Sequence, residues 1–228
     1  MRLSGLAILA GFAITIYLTS GFAYAPLTGT RKIIWLGIAS GLIAIPLNLL
    51  NWSLWRPVIT VLAACAAVWV GLHLLLQQAV ATALQWGAGC ALFAGWIAFW
   101  MDELHDSPVR AASAGMALGL GSGAVLWVAG ASLLGKFNLA VGSAAFAYLF
   151  IMFASNSHLS CGRSFTLPLS LVAGLGACFV LLTTQLPWYA LAPLAAIPLA
   201  AKLPVSDGAP VWVQATLLSA ATLACALL

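Results

Sequence analysis

The densest group of ionisable side chains in this sequence is Asp102-Glu103-Leu104-His105-Asp106. If the apolar segment before it continues as a helix by one turn, Asp102, His105 and Asp106 stand at i, i+3 and i+4 and share a face. Two carboxylates and an imidazole on one face form a donor set for a divalent metal, and with Glu103 they are candidates for acid/base chemistry at a membrane surface. His158 and Cys161, spaced HxxC, could add ligands from a later loop. The same residues also have a structural reading. Ser107-Pro108 is a good N-cap and N1 pair for a following helix, and Asp106 beside it suits the positive end of that helix. A solvated turn that stops one helix and starts the next accounts for most of the cluster, so no catalytic residue is assigned and the metal stays unknown.

A second set of polar groups lies inside apolar runs. His73 and Gln77 are spaced i, i+4, Gln85 follows in the next segment, and Asn48 closes an earlier one near Pro46 and Asn51. Such residues either line a polar path or make interhelical hydrogen bonds. No Asp, Glu, Lys or Arg is expected near the membrane midplane, which counts against an ion-driven pump. Cys65, Cys90, Cys178 and Cys225 sit in apolar runs, Cys161 lies in a loop, and there is no CxxC, so neither a disulfide framework nor a redox motif follows. GxSxG, HExxH, GxxxxGK[ST] and CxxCH are all absent. No cofactor is expected.

The elements that must position these groups are membrane helices. Of 228 residues, eight are Lys or Arg and four are Asp or Glu, and from Pro57 to Trp100 there is no charge at all. At about 20 apolar residues per helical crossing, that stretch crosses twice. With 5% charged residues against roughly a quarter in a soluble domain, no water-facing surface of normal size can be built. The basic residues are scattered, which excludes nucleic acid as a partner.

Cutting at charges, prolines and Asn/Ser/Gly clusters gives nine segments, roughly 6–23, 33–50, 58–75, 79–100, 109–134, 139–153, 166–182, 188–203 and 211–228. The fold class is an all-α polytopic bundle of eight to nine spans with short loops, residues 1–228 forming one integral membrane domain. The eighth segment, with Pro193 and Pro198, is the one that could be re-entrant. Arg2, an apolar stretch and Ala23-Tyr24-Ala25 imitate a secretory signal. Pro26 follows at once, so the first segment is expected to be retained.

Small residues at four-residue spacing mark close helix contacts. They occur at Gly37 and Gly41, at Gly87, Ala91 and Gly95, and at Gly115, Gly119 and Gly123. Internal packing is the main expectation for these faces, and a face for a partner subunit the alternative. Trp52, Trp55, Trp100 and Trp188 mark segment ends.

With nine segments, Asp102, Glu103, Asp106, Asp207, His105 and His158 share one face with Arg2, Arg56, Arg110, Arg163 and Lys202, opposite Arg31, Lys32 and Lys136. Five basic residues against three place the N-terminus inside, as in a bacterial inner membrane protein. Three functions fit. The first is a non-catalytic structural or accessory subunit of a larger membrane assembly, whose partners are lipid and other membrane subunits. The second is a small permease or channel for a neutral solute along Asn48, His73, Gln77 and Gln85. The third is a membrane-surface enzyme using the Asp102–Asp106 cluster with His158.

Overall fold

In lipid every backbone N–H and C=O must be satisfied within the chain, and an apolar segment without a closed sheet does so as a helix. In the computed structural model every regular element among the described residues is helical. The described residues are 4–19, 21, 26–48, 54–156, 159–184, 188–205 and 209–227, with side chains from residue 8 onward. The helices are α1 (Ser4–Thr19), α2 (Gly29–Leu47), α3 (Trp55–Leu75), α4 (Val80–Glu103), α5 (Pro108–Val128), α6 (Ser132–Ser155), α7 (Arg163–Thr184), α8 (Ala192–Ala200) and α9 (Val211–Ala226). A 3₁₀ turn, Leu104–Asp106, extends α4, and another, Trp188–Leu191, leads into α8.

Six helices, α2 to α7, are long and apolar enough to cross a membrane. The other three are shorter. Trp188–Ala200 rises about 22 Å, against a hydrocarbon core of about 30 Å. Of the eight to nine expected spans, six are thus of spanning length among the described residues, and three further apolar helices are shorter.

The expected turn at Gln77-Gln78 is present, since α3 ends at Leu75 and α4 begins at Val80. The turn between the fifth and sixth segments is elsewhere than expected. α5 stops at Val128 and α6 starts at Ser132, so the chain reverses at 129–131 and not at 135–138. Gly130 takes a left-handed φ of +83°. Its N–H donates to Trp127 O at 3.1 Å and that of Ala131 to Leu126 O at 2.9 Å, the paired bonds of a Schellman cap. Lys136 then belongs to the first turns of α6.

α7 is the centre of the bundle. It packs against each of α1 to α6, and nearly all its side chains from Ser164 to Leu182 are buried. The glycine faces serve this internal packing. A Cβ on Gly119 would stand 2.4 Å from Gly142 Cα, and one on Gly123 2.8 Å from the Leu139 side chain, so α5 and α6 touch backbone to backbone. A Cβ on Gly115 would meet Leu169 of α7, one on Gly37 Phe12 and Val172, one on Gly41 Leu9, and one on Gly95 Thr60. Gly87 faces Leu75. Ser122 and Asn138, both fully buried, bond each other at 3.1 Å within the α5–α6 seam.

Candidate functional site

One end of the bundle collects the charges. The C-terminal ends of α2, α4 and α8 meet the N-terminal ends of α3, α5 and α7 there. Arg163 opens α7, and its Nε donates to Asp102 Oδ1 at 2.9 Å. The two side chains are 11% and 2% exposed, so this is a buried ion pair. The backbone N–H of Arg163 donates to Asn48 Oδ1 at 2.8 Å, and Asn48 Nδ2 donates to Ser164 Oγ at 3.1 Å. Asn48, the residue that caps α2, thus takes up one of the orphan N–H groups at the start of α7.

Glu103 lies between Arg56 and Lys202 and pairs with both. The Arg56 guanidinium stands 3.7 Å from the Phe99 ring centroid and Lys202 Nζ 4.1 Å from that of Trp100, so both cations rest on aromatic faces. Arg110, on α5, donates to the carbonyls of Ala201 and Leu203 at 3.2 and 3.0 Å and to that of Val205 at 3.2 Å. It thereby closes the carbonyl end of α8, where a cation is favoured.

The 3₁₀ turn decides what the acidic cluster can do. Asp102, still on α4, points inward to Arg163, and the turn leaves Asp106 outward, 67% exposed and 3.1 Å from His105 Nε2. His105 Nδ1 donates back to the Asp102 carbonyl, and the His105 carbonyl accepts from Gly162 N–H at 3.0 Å. The face expected from a continued α-helix is therefore split. Among the described residues no three His, Cys, Asp or Glu side chains come close enough together to hold a metal ion. Cys161 is buried, and His158 and Asp207 lie outside the described residues, as do Arg2, Asn51 and Trp52. Asp102, Glu103 and His105 serve as structural connectors between helix ends in this arrangement.

The four path candidates do not meet. Asn48 belongs to the charged end. His73, exposed on the last turn of α3, and Gln77, exposed in the turn that follows, bond each other at 3.2 Å and not a neighbouring helix. Gln85 is exposed on α4, beside an apolar cavity. What sequence reasoning missed is the pairing itself. The signal was present in the single cations Arg56, Arg163 and Lys202 at segment ends on the same face as the carboxylates.

Between α2 and α3 a cavity of about 240 Å³ opens sideways, floored by Leu167 and Leu171 of α7. Leu36, Ala39, Ser40, Ile43 and Leu47 line it from α2, and Val58, Ile59, Leu62, Ala63 and Ala66 from α3. Both sets follow helical i, i+3, i+4, i+7 spacing.

Six apolar helices of spanning length define an integral membrane protein. No family model, curated protein or solved structure matches the chain.

Proposed function

We propose that this is a non-catalytic structural or accessory subunit of a larger membrane assembly, and that it receives one transmembrane helix of a partner in the groove between α2 and α3. That groove is the observation that carries the reading. Its walls place Ala39 and Ala66, both half-buried, where a second backbone could approach closely. The glycine faces, by contrast, are consumed inside the chain. A permease would need Asn48, His73, Gln77 and Gln85 along one path, and they occupy three separate places. A surface enzyme would need a free carboxylate, whereas Asp102 and Glu103 are paired with cations.

In this reading all nine helices lie in the membrane. α8 is the half-length segment, and the charged end with Arg56, Arg110, Arg163 and Lys202 faces the cytoplasm of a bacterial inner membrane, as the bias of basic residues favours. The test places a photo-crosslinking residue at Ile43 in the groove, and as a control at Leu217, exposed on α9. Expected is a discrete polypeptide adduct from Ile43 alone, abolished by Ala66→Trp, which fills the groove. Lipid adducts alone from Ile43 in the native membrane would overturn the proposal.

A further inference from the structure

Two buried nucleophiles meet between α4 and α7. Cys90 lies near the middle of α4 and Cys178 faces it from α7, with 1% and 2% of their surfaces exposed. The Cys178 thiol donates to the Cys90 carbonyl at 3.5 Å, and the two thiols are in contact with each other. They are 88 residues apart in the chain, so no CxxC-type spacing announces them. The two helices run antiparallel, since Asp102 meets Arg163 at one end of the same seam. One turn from the cysteines, a Cβ on Gly174 would stand 4.0 Å from that of Ala94. A disulfide needs Cβ atoms about 3.5–4.5 Å apart, so the seam has the width of a disulfide beside the thiols.

The surroundings narrow the chemistry. No Asp, Glu, Lys or Arg occurs from Pro57 to Trp100 or from Ser164 to Ala201. A thiolate, or a metal held by two thiolates, would carry unpaired charge into this apolar interior, whereas a disulfide leaves both sulfurs neutral. Burial slows the first attack, since a thiol reacts as its thiolate. It also shields the product, because a thiol reductant in water must reach a sulfur to reopen the bond.

We infer that Cys90 and Cys178 are an oxidative modification site, at which peroxide, a small neutral oxidant that crosses membranes, converts the two thiols into a disulfide joining α4 to α7. One sulfur attacks the peroxide; an S–O bond forms, the O–O bond breaks, and the thiol proton leaves with the released oxygen as water. The second sulfur displaces the hydroxyl of this sulfenic acid; an S–S bond forms, and the hydroxyl leaves with the second thiol proton as water. Two electrons pass from the thiols to the peroxide. The bond lies twelve residues before Asp102 on α4, about 18 Å along the helix, and so fastens α7 at a second level.

The experiment treats membranes holding the full chain with hydrogen peroxide, denatures them in dodecyl sulfate and counts thiols with a polyethylene glycol maleimide. The chain carries Cys65→Ala, which removes the exposed thiol and leaves four of the five cysteines. Expected is the loss of two of the four, restored by dithiothreitol only when it is added after denaturation. Mass spectrometry should find a linked peptide holding Cys90 and Cys178, two hydrogens lighter than its parts. With Cys90→Ala or Cys178→Ala added, all three remaining thiols should stay reactive. With Asp102→Ala added instead, the oxidised chain should melt about 5–15 °C above the reduced one, because the bond closes a loop of 88 residues. Four reactive thiols after peroxide, or a loss that survives Cys90→Ala, would overturn the inference. Reduction of the bond by dithiothreitol in the folded chain would overturn its placement in the buried seam.

Discussion

Removing the carboxylate of Asp102 should be among the most damaging single changes in this chain. At 2.9 Å the Arg163–Asp102 attraction is about 6 kcal/mol at an effective dielectric constant of 20. Much of that is offset by taking both groups out of water, since the side chains are 2% and 11% exposed. Asp102→Ala leaves the offsetting cost without the attraction. Among the described residues the guanidinium of Arg163 would then keep one marginal hydrogen bond, to the Leu47 carbonyl at 3.5 Å. The expected loss is about 3–5 kcal/mol, which corresponds to about 6–20 °C in melting temperature for a chain of this size. Arg163→Met should cost a similar amount, by stranding the carboxylate. Asp102→Ala with Arg163→Met together should restore much of the stability, because neither charge then remains buried. The assay is thermal unfolding in one detergent, with all variants arranged as a double-mutant cycle. If each single variant melts within about 2 °C of the unaltered chain, or the two changes simply add, the ion pair does not fasten α7 to α4.

Two other outcomes test the packing and the topology. Gly119→Ala should destabilise the chain by about 1–3 kcal/mol or prevent folding, because its methyl would sit 2.4 Å from Gly142 Cα, whereas Leu120→Ala should be milder; equal melting temperatures would refute the backbone contact. Cysteines introduced at Asp106 and Lys136, both exposed, should react with an impermeant thiol reagent from opposite sides of the membrane, and labelling of both from one side would refute the shared placement of the charged ends.

How far the sequence could be read is clearest at particular residues. The absence of charge from Pro57 to Trp100 forces two crossings, and the polar pair Gln77-Gln78 at its middle is where the chain does turn. The turn expected near Lys136 lies instead at 129–131, because a charge need not mark a loop. A lysine one turn inside a helix can extend its stem to the headgroups, and the stronger mark was Gly130, which alone in 129–131 takes a left-handed conformation without strain. The i, i+4 spacing of His73 and Gln77 fits the bond they make across the end of α3. The Asp102–Arg163 pair had no such local sign. Its members are 61 residues apart, and only the packing of α7 against α4 brings them together. The split of the acidic cluster was likewise hidden, since it depends on whether the last turn of α4 is α or 3₁₀.

The place of α7 in the bundle has a consequence for synthesis. It follows in the chain the six helices, α1 to α6, that pack against it. At about 5–20 residues per second, Asp102 leaves the ribosome about 3–12 s before Arg163, given their separation of 61 residues. Over that interval the carboxylate must be kept at the aqueous edge, and the faces of α2 and α4 that later hold α7 must be covered by lipid or by the insertion machinery. The α5–α6 hairpin, joined by three residues and closed by glycine on glycine, can assemble in the meantime. The order of the chain thus has α7 enter a slot bounded by helices that precede it and bring the charge that fastens it to α4.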